Sequence, residues 1–166
     1  MLRITKLTDY GIVLLTTLAS DQERLVTAPD LATETSLPQP MVAKILKLLA
    51  RAGILESHRG VNGGYCLARL PEELSVAEVI NALEGQIAIT ECTDDTPGLC
   101  SQETVCAVRS NWNRINLAIQ DALDRISLSE MTGAVRVPRP TRLVQLSVCK
   151  NPEPEKNRAA REHASL

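Results

Sequence analysis

Along the first seventy residues, apolar positions recur in three helical blocks and then change to a shorter, strand-like rhythm. Over residues 6–19, Leu7, Tyr10, Gly11, Leu14, Leu15 and Leu18 are spaced for one face of a helix, which the polar stretch 20–24 ends. Thr27, with Pro29 next but one and Asp30 three positions on, has the pattern of an N-cap and predicts a short helix ending near Thr35. The LPQP run at 37–40 interrupts the chain before a third helix over 41–52, which Gly53 stops. In that helix Val42, Ile45, Leu46 and Leu49 form an i, i+3, i+4, i+7 stripe, and Pro40, Lys44, Lys47 and Arg51 fall on the opposite side. Residues 54–59 and 65–70 then read as two strands around a turn of Gly60, Asn62, Gly63 and Gly64.

Three helices followed by a hairpin is the order of a winged helix-turn-helix, so the expected fold class is mainly α with a β-hairpin wing. Such a fold lays its third helix in the major groove of double-stranded DNA. At the start of that helix Gln39, next to Pro40, can read adenine bidentately, and Lys44 can donate to guanine. Lys47 and Arg51, further along, suit phosphates, and Arg59 and Asn62 on the wing suit the adjacent minor groove or its backbone.

Beyond the hairpin, Ser75 caps a helix to about residue 84 with Val76, Val79, Ile80 and Leu83 on one face. A loop containing Pro97 and Gly98 leads to a long helix, expected from 101 or 104 to 126. Its apolar positions Val108, Trp112, Ile115, Ile119, Ala122 and Ile126 step by four and three, the seam of a helix that pairs with another. The small winged domain offers little surface to cover it, so a dimerisation helix and a homodimer are expected. The chain thus divides into a DNA-binding domain at 1–84, a loop and dimer helix at 85–133, and a Pro-containing polar tail at 134–166, expected to be disordered.

Composition narrows the function classes. Of 166 residues 44% are hydrophobic and 23% charged, as in a globular protein, while aromatics at 2% are too scarce for a module that stacks single-stranded bases. The net charge of −2 is uneven: residues 1–70 hold eight Lys/Arg against six Asp/Glu, and residues 71–150 hold seven against eleven. That excess is too small to diagnose nucleic-acid binding by itself. The apolar run 11–19 is too short to span a bilayer, and Asp9, Thr16 and Thr17 argue against a secretory signal, so the expectation is a cytoplasmic protein without a membrane partner. The two histidines, His58 and His163, do not assemble with a nucleophile, so neither an enzyme nor a small-molecule substrate is expected.

Five cysteines, an odd number, fit a disulfide scaffold poorly. Cys92, Cys100 and Cys106 lie within fifteen residues, with seven and five residues between them, in a spacing unlike a zinc ribbon and with no histidine nearby. Three thiolates in a loop suit zinc or an iron–sulfur cluster. Cys106 is expected in the first turn of the long helix, where the dipole favours a thiolate. Cys66 and Cys149 read as structural or incidental.

Several segments carry a specific likeness: LRITKLTDYG at 2–11, LKLLARAGIL at 46–55, RGVNGGYCLAR at 59–69, the three cysteines, and VRSNWNRIN at 108–116. Together they resemble the Rrf-two family of bacterial winged-helix regulators, most closely those that control SUF-system iron–sulfur assembly, over about four-fifths of the chain. The resemblance implies a homodimer with crossed dimer helices, operator DNA as partner, and a cluster held by Cys92, Cys100 and Cys106 whose state switches operator affinity, with repression of SUF genes as the expected outcome. Some members place a histidine three residues after the third cysteine. Here that position is Arg109, a guanidinium with no lone pair for iron. Nitric-oxide-sensing members instead use an N-terminal aspartate of the partner subunit, and LTDYG puts Asp9 at the matching position. Asp9 therefore has two readings, as fourth ligand or as a charge that complements the first helix dipole. For the cofactor 4Fe–4S stands ahead of 2Fe–2S. A nitric-oxide-sensing repressor and a zinc-stabilised DNA-binding protein are the alternatives.

Overall fold

A computed structural model describes residues 4–22, 24–60, 62–94, 100–101 and 105–133. Thr5 caps α1 (Lys6–Ser20) by accepting from the Leu7 and Thr8 amides, and Thr27 caps α2 (Ala28–Thr35) by accepting from the Asp30 amide. Between α2 and α3 (Gln39–Arg51) the chain turns at Ser36, a non-glycine residue at φ 56, while Leu37 N–H donates back to Ala32 O at 3.1 Å. Helix α3 begins at Gln39 rather than at Met41. Pro40 occupies its first turn, where a proline has no amide to lose, so the LPQP run starts the helix instead of breaking before it.

The predicted stripe of α3 is the centre of the core: Val42, Ile45, Leu46 and Leu49 are fully buried, packed with Leu14, Leu15 and Leu18 of α1 and with Leu31 of α2. Burial of four such side chains outweighs the weaker helix propensity of the β-branched pair. The wing is a two-stranded antiparallel hairpin, β1 (Leu55–His58) and β2 (Gly64–Leu67), with Leu55 opposite Leu67 and His58 opposite Gly64. It is shorter than expected at both outer ends. An isolated bridge ties Tyr65 to Val26 through amide–carbonyl bonds of 2.8 and 3.1 Å. Gly64 permits that approach, since a Cβ there would stand 2.9 Å from Val26 O.

A 3₁₀ turn (Pro71–Glu73) leads to α4 (Val76–Glu84), closed by a reciprocal capping box of Ser75 and Glu78. Helix α4 lies close against α1 because Gly11 has no side chain: a Cβ there would collide with Leu83 Cδ1. After a second 3₁₀ turn (Glu91–Thr93) the long helix α5 runs over Arg109–Asp124. It starts later than the sequence suggests. Cys106 lies two residues before the N-cap Val108, outside the first turn, so the expected effect of the dipole on its thiol is withdrawn.

The chain then returns to the winged domain in a short α6 (Leu128–Met131). Ser127 bridges Ser75, Leu128 N–H donates to Leu74 O at 2.8 Å, and the Leu128 side chain is fully buried in the core. The tail 134–166 lies outside the described residues. Among the described residues no helix is long and apolar enough to cross a membrane.

Candidate nucleic-acid interface and cysteine loop

The helix-turn-helix presents its polar side as expected. Gln39, Pro40, Lys44, Lys47 and Arg51 are all exposed, and α3 carries no acidic residue. Lys44, Lys47 and Arg51 follow i, i+3, i+7 and share one face. Arg59 and Asn62 are exposed on the hairpin turn. The turn is closed by Gly63 N–H donating to Gly60 O at 3.0 Å, and a Cβ on Gly63 would strike His58 O. Between α3, the start of α2 and the wing lies a cleft of about 570 Å³, lined by Lys47, Arg51, Arg59, His58, Thr27 and Tyr65. The sequence reading reached its three cations but not His58 or Tyr65. Both belong to the hairpin, and only the folded register brings them beside α3.

The three loop cysteines are free thiols and half-buried. Cys92 sits on the 3₁₀ turn, its sulfur 3.2 Å from the Thr90 hydroxyl. The turn is pinned by the Thr93 hydroxyl donating to Thr90 O at 2.8 Å. Cys106 O accepts from the Arg109 amide at 3.4 Å at the entrance to α5. Among the described residues, the trio whose ligand atoms all lie within 4.8 Å of one another is Glu56, His58 and Cys66; the loop cysteines form no such group, and Asp9 joins none. Asp9 is exposed in the first turn of α1. Cys66, read as structural or incidental, is disulfide-bonded, which is the structural alternative. An odd number of cysteines excludes pairing all five but not one pair.

Three unoxidised sulfurs on a segment anchored at both ends are a fitting donor set for an iron–sulfur cluster, with one coordination position left to another group. The anchoring involves a residue to which the sequence reading assigned no role. Asn116 is the one buried residue of α5: its Oδ1 accepts from Ile89 N–H at 3.1 Å and its Nδ2 donates to Ile87 O at 3.0 Å. Gln120 Nε2 adds a bond to the same carbonyl at 3.2 Å. Of the predicted seam, Val108, Trp112, Ile115, Ala122 and Ile126 are exposed and Ile119 is half-buried.

At the other end of α4, Glu84 Oε1 accepts from Thr5 N–H at 3.3 Å, from the Thr5 hydroxyl at 2.7 Å and from the Thr8 hydroxyl. Burial pushes the carboxyl up, but the hydrogen bonds from Thr8 and Thr5 outweigh it and hold Glu84 below the usual range. Glu78 is likewise raised by burial and lowered further by the Ser75 amide and by Arg69, whose Nη2 lies 2.8 Å away.

Residues 4–134 match the family described as Rrf2, iron-dependent transcriptional regulator. The chain belongs to the Rrf2 family. It is a DNA-binding transcriptional regulator and not an enzyme. Among relatives of this Rrf2 protein, the HTH-type transcriptional regulator NsrR of Bacillus licheniformis is 29% identical over 131 residues, covering 78% of this chain and 92% of that one. The protein rrf2 of Nitratidesulfovibrio vulgaris is also 29% identical over 131 residues, covering 78% and 87%. Among solved structures, CymR, the global cysteine regulator of B. subtilis, superposes with a TM-score of 0.60 at 25% identity, covering 80% of this chain and 97% of that one. T. potens IscR superposes with a TM-score of 0.59 at 27% identity, covering 78% and 85%.

Proposed function

We propose that this Rrf2 regulator acts as a homodimer on a two-fold operator, and that an iron–sulfur cluster on Cys92, Cys100 and Cys106 sets how tightly it binds. The observation that carries this reading is the pair of anchors on the cysteine segment. Three free thiols lie on the chain between α4 and α5, with Asn116 holding residues 87 and 89 ahead of them and a backbone turn from Cys106 O to the Arg109 amide leading into α5. When bound, the cluster supplies an inorganic core that oxidants and nitric oxide attack.

The chain's own residues do the rest. Lys47 and Arg51 neutralise phosphates, Gln39 and Lys44 address base edges, and Arg59 and Asn62 hold the wing against the neighbouring groove. The exposed seam of α5 pairs with its equivalent in a second copy, which spaces two reading helices by whole turns of the duplex. Asp9 of the partner subunit is the proposed fourth ligand, because position 109 holds an arginine and Asp9 is exposed. A hundredfold switch in operator affinity requires about 2.7 kcal/mol of differential binding. The proposed targets are SUF assembly genes, under repression, in the cytoplasm, and 4Fe–4S is the proposed cluster.

The similarity to NsrR together with the Asp9 position favours nitric oxide as the second reading of the signal. The test is anaerobic purification with iron and sulfide analysis, followed by titration of the holo and apo forms, at fixed salt, onto the promoter upstream of the protein's own operon. A coloured protein whose two forms differ in affinity supports the proposal. A colourless protein that carries zinc, or equal binding by both forms, refutes it.

A further inference from the structure

One face of the wing gathers three side chains that ligate metals. Strand alternation puts Glu56 and His58 on the same face of β1, and the antiparallel register sets Cys66 of β2 opposite Glu56. One ligand atom from each lies within 4.8 Å of the other two. His58 Nε2 stands 3.5 Å from Glu56 Oε2, and among the described residues it is buried with no hydrogen-bond partner. A buried nitrogen of this kind ordinarily finds a donor or an acceptor. Here what faces it is a carboxylate and a sulfur.

We propose that Glu56, His58 and Cys66 form a site for a borderline-soft divalent cation of the zinc class, available when Cys66 is reduced. A thiolate, an imidazole and a carboxylate are all zinc ligands, and a water completes four-coordination. In a tetrahedron with arms of about 2.0–2.3 Å, neighbouring donor atoms are about 3.3–3.8 Å apart. The nitrogen–oxygen edge, at 3.5 Å, already has that length. The Cys66 sulfur lies within 4.8 Å of one ligand atom of Glu56 and one of His58.

The disulfide makes the site conditional on thiol chemistry. A cellular dithiol attacks the bond and gives up two electrons and two protons, ending as a disulfide itself and leaving Cys66 and the sulfur bonded to it as two thiols. The cation then displaces the thiol proton to solvent and binds the thiolate. His58 also lines the cleft that holds Lys47, Arg51 and Arg59, so an ion here adds positive charge where phosphates are expected and ties β1 to β2 just behind the turn.

The inference does not depend on the loop cysteines, and its test removes them. The full-length chain with Cys92, Cys100 and Cys106 changed to Ser is reduced with a phosphine, which carries no thiol, and titrated with Co²⁺. One equivalent per chain with a tetrahedral, thiolate-to-cobalt absorption is expected, abolished by Cys66→Ser and weakened at least tenfold by His58→Gln. Absence of the band, or a band indifferent to both changes, overturns the proposal. A second measurement uses the unaltered chain: with two histidines in the sequence, the imidazole C–H resonance absent from His58→Gln belongs to His58. Zn²⁺ is expected to shift that resonance in the reduced protein and leave it in place in the oxidised one. A resonance unmoved by Zn²⁺ in the reduced protein also overturns it.

Discussion

Asn116 treats Ile89 as a strand treats its neighbour: its carboxamide oxygen takes the Ile89 amide proton at 3.1 Å while its nitrogen gives a proton to Ile87 O at 3.0 Å. The segment entering the cysteine loop thereby docks on α5, with Gln120 Nε2 adding a third bond at 3.2 Å to Ile87 O. Asn116→Ala leaves the Ile89 amide without its partner and Ile87 O with Gln120 alone, with a cost expected at about 1–3 kcal/mol. Asn116→Asp keeps the acceptor and loses the donor, and should fall between. Urea unfolding of the apo protein measures this, and both variants should also lose their cluster faster in air. Equal stability of all three proteins would show that the bonds exchange freely with water.

Lys44 and Lys47 share a face of α3 but are expected to do different work. Lys44→Ala should cost about 1–3 kcal/mol on the operator and relax one base preference, whereas Lys47→Ala should weaken all sequences alike and reduce the salt slope by about one. Competition binding on operators with single base changes, repeated at several salt concentrations, separates the two. The opposite pattern would exchange their roles.

Glu84 links acidity to the α1–α4 contact. Its folded pKa is lowered, so the stability it contributes is fully present above the ordinary carboxylate pKa and is lost as pH falls through the lower folded value. Because the side chain is exposed, the effect is small. Glu84→Gln should therefore flatten the acid limb of the stability profile relative to the parent and leave its neutral limb parallel. Chemical unfolding followed from neutral to acid pH reads the difference.

Ile115 is 45% exposed at the middle of the α5 seam. Ile115→Arg places a charge where a second copy is expected to pack and should shift the protein from dimer to monomer in analytical ultracentrifugation. Operator affinity falls with it, because a monomer reads one half-site. Since the side chain is not part of the core, the unfolding free energy of the monomer should stay within about 0.5 kcal/mol of the parent monomer's.

Asp9→Ala should shorten the anaerobic lifetime of the cluster and alter its absorption spectrum while leaving the apo fold intact. If spectrum and lifetime are unchanged, the fourth ligand lies elsewhere.

Much of this arrangement was legible in the sequence because it rests on short-range periodicity. The Val42–Leu49 stripe, the Thr27 and Ser75 caps and the wing turn appear where spacing and turn chemistry put them. The misplaced starts of α3 and α5 have a common origin. In each case the boundary is decided by one or two residues at the first turn, Pro40 as a tolerated starter and Val108 as a cap without a side-chain bond, and periodicity is silent there. Asn116 was invisible because a polar residue inside an apolar seam looks like a solvated position until its partners at 87 and 89 are known. His58 carries no role in the sequence reading beyond failing to assemble with a nucleophile. Alternation along β1 couples it to Glu56, but only the cross-strand register adds Cys66.

Leu128 has a consequence for how the molecule can be divided. The side chain that completes the interior built by the first three helices arrives from beyond α5, bridged to Leu74 and Ser75. The sulfur-bearing stretch is therefore an excursion that leaves one folding unit and rejoins it, rather than an appendage joined at one point. A fragment cut after Glu84 would open a vacancy the size of a leucine in its own interior. By the same connectivity, any tension in the excursion is delivered to the reading head at two places at once.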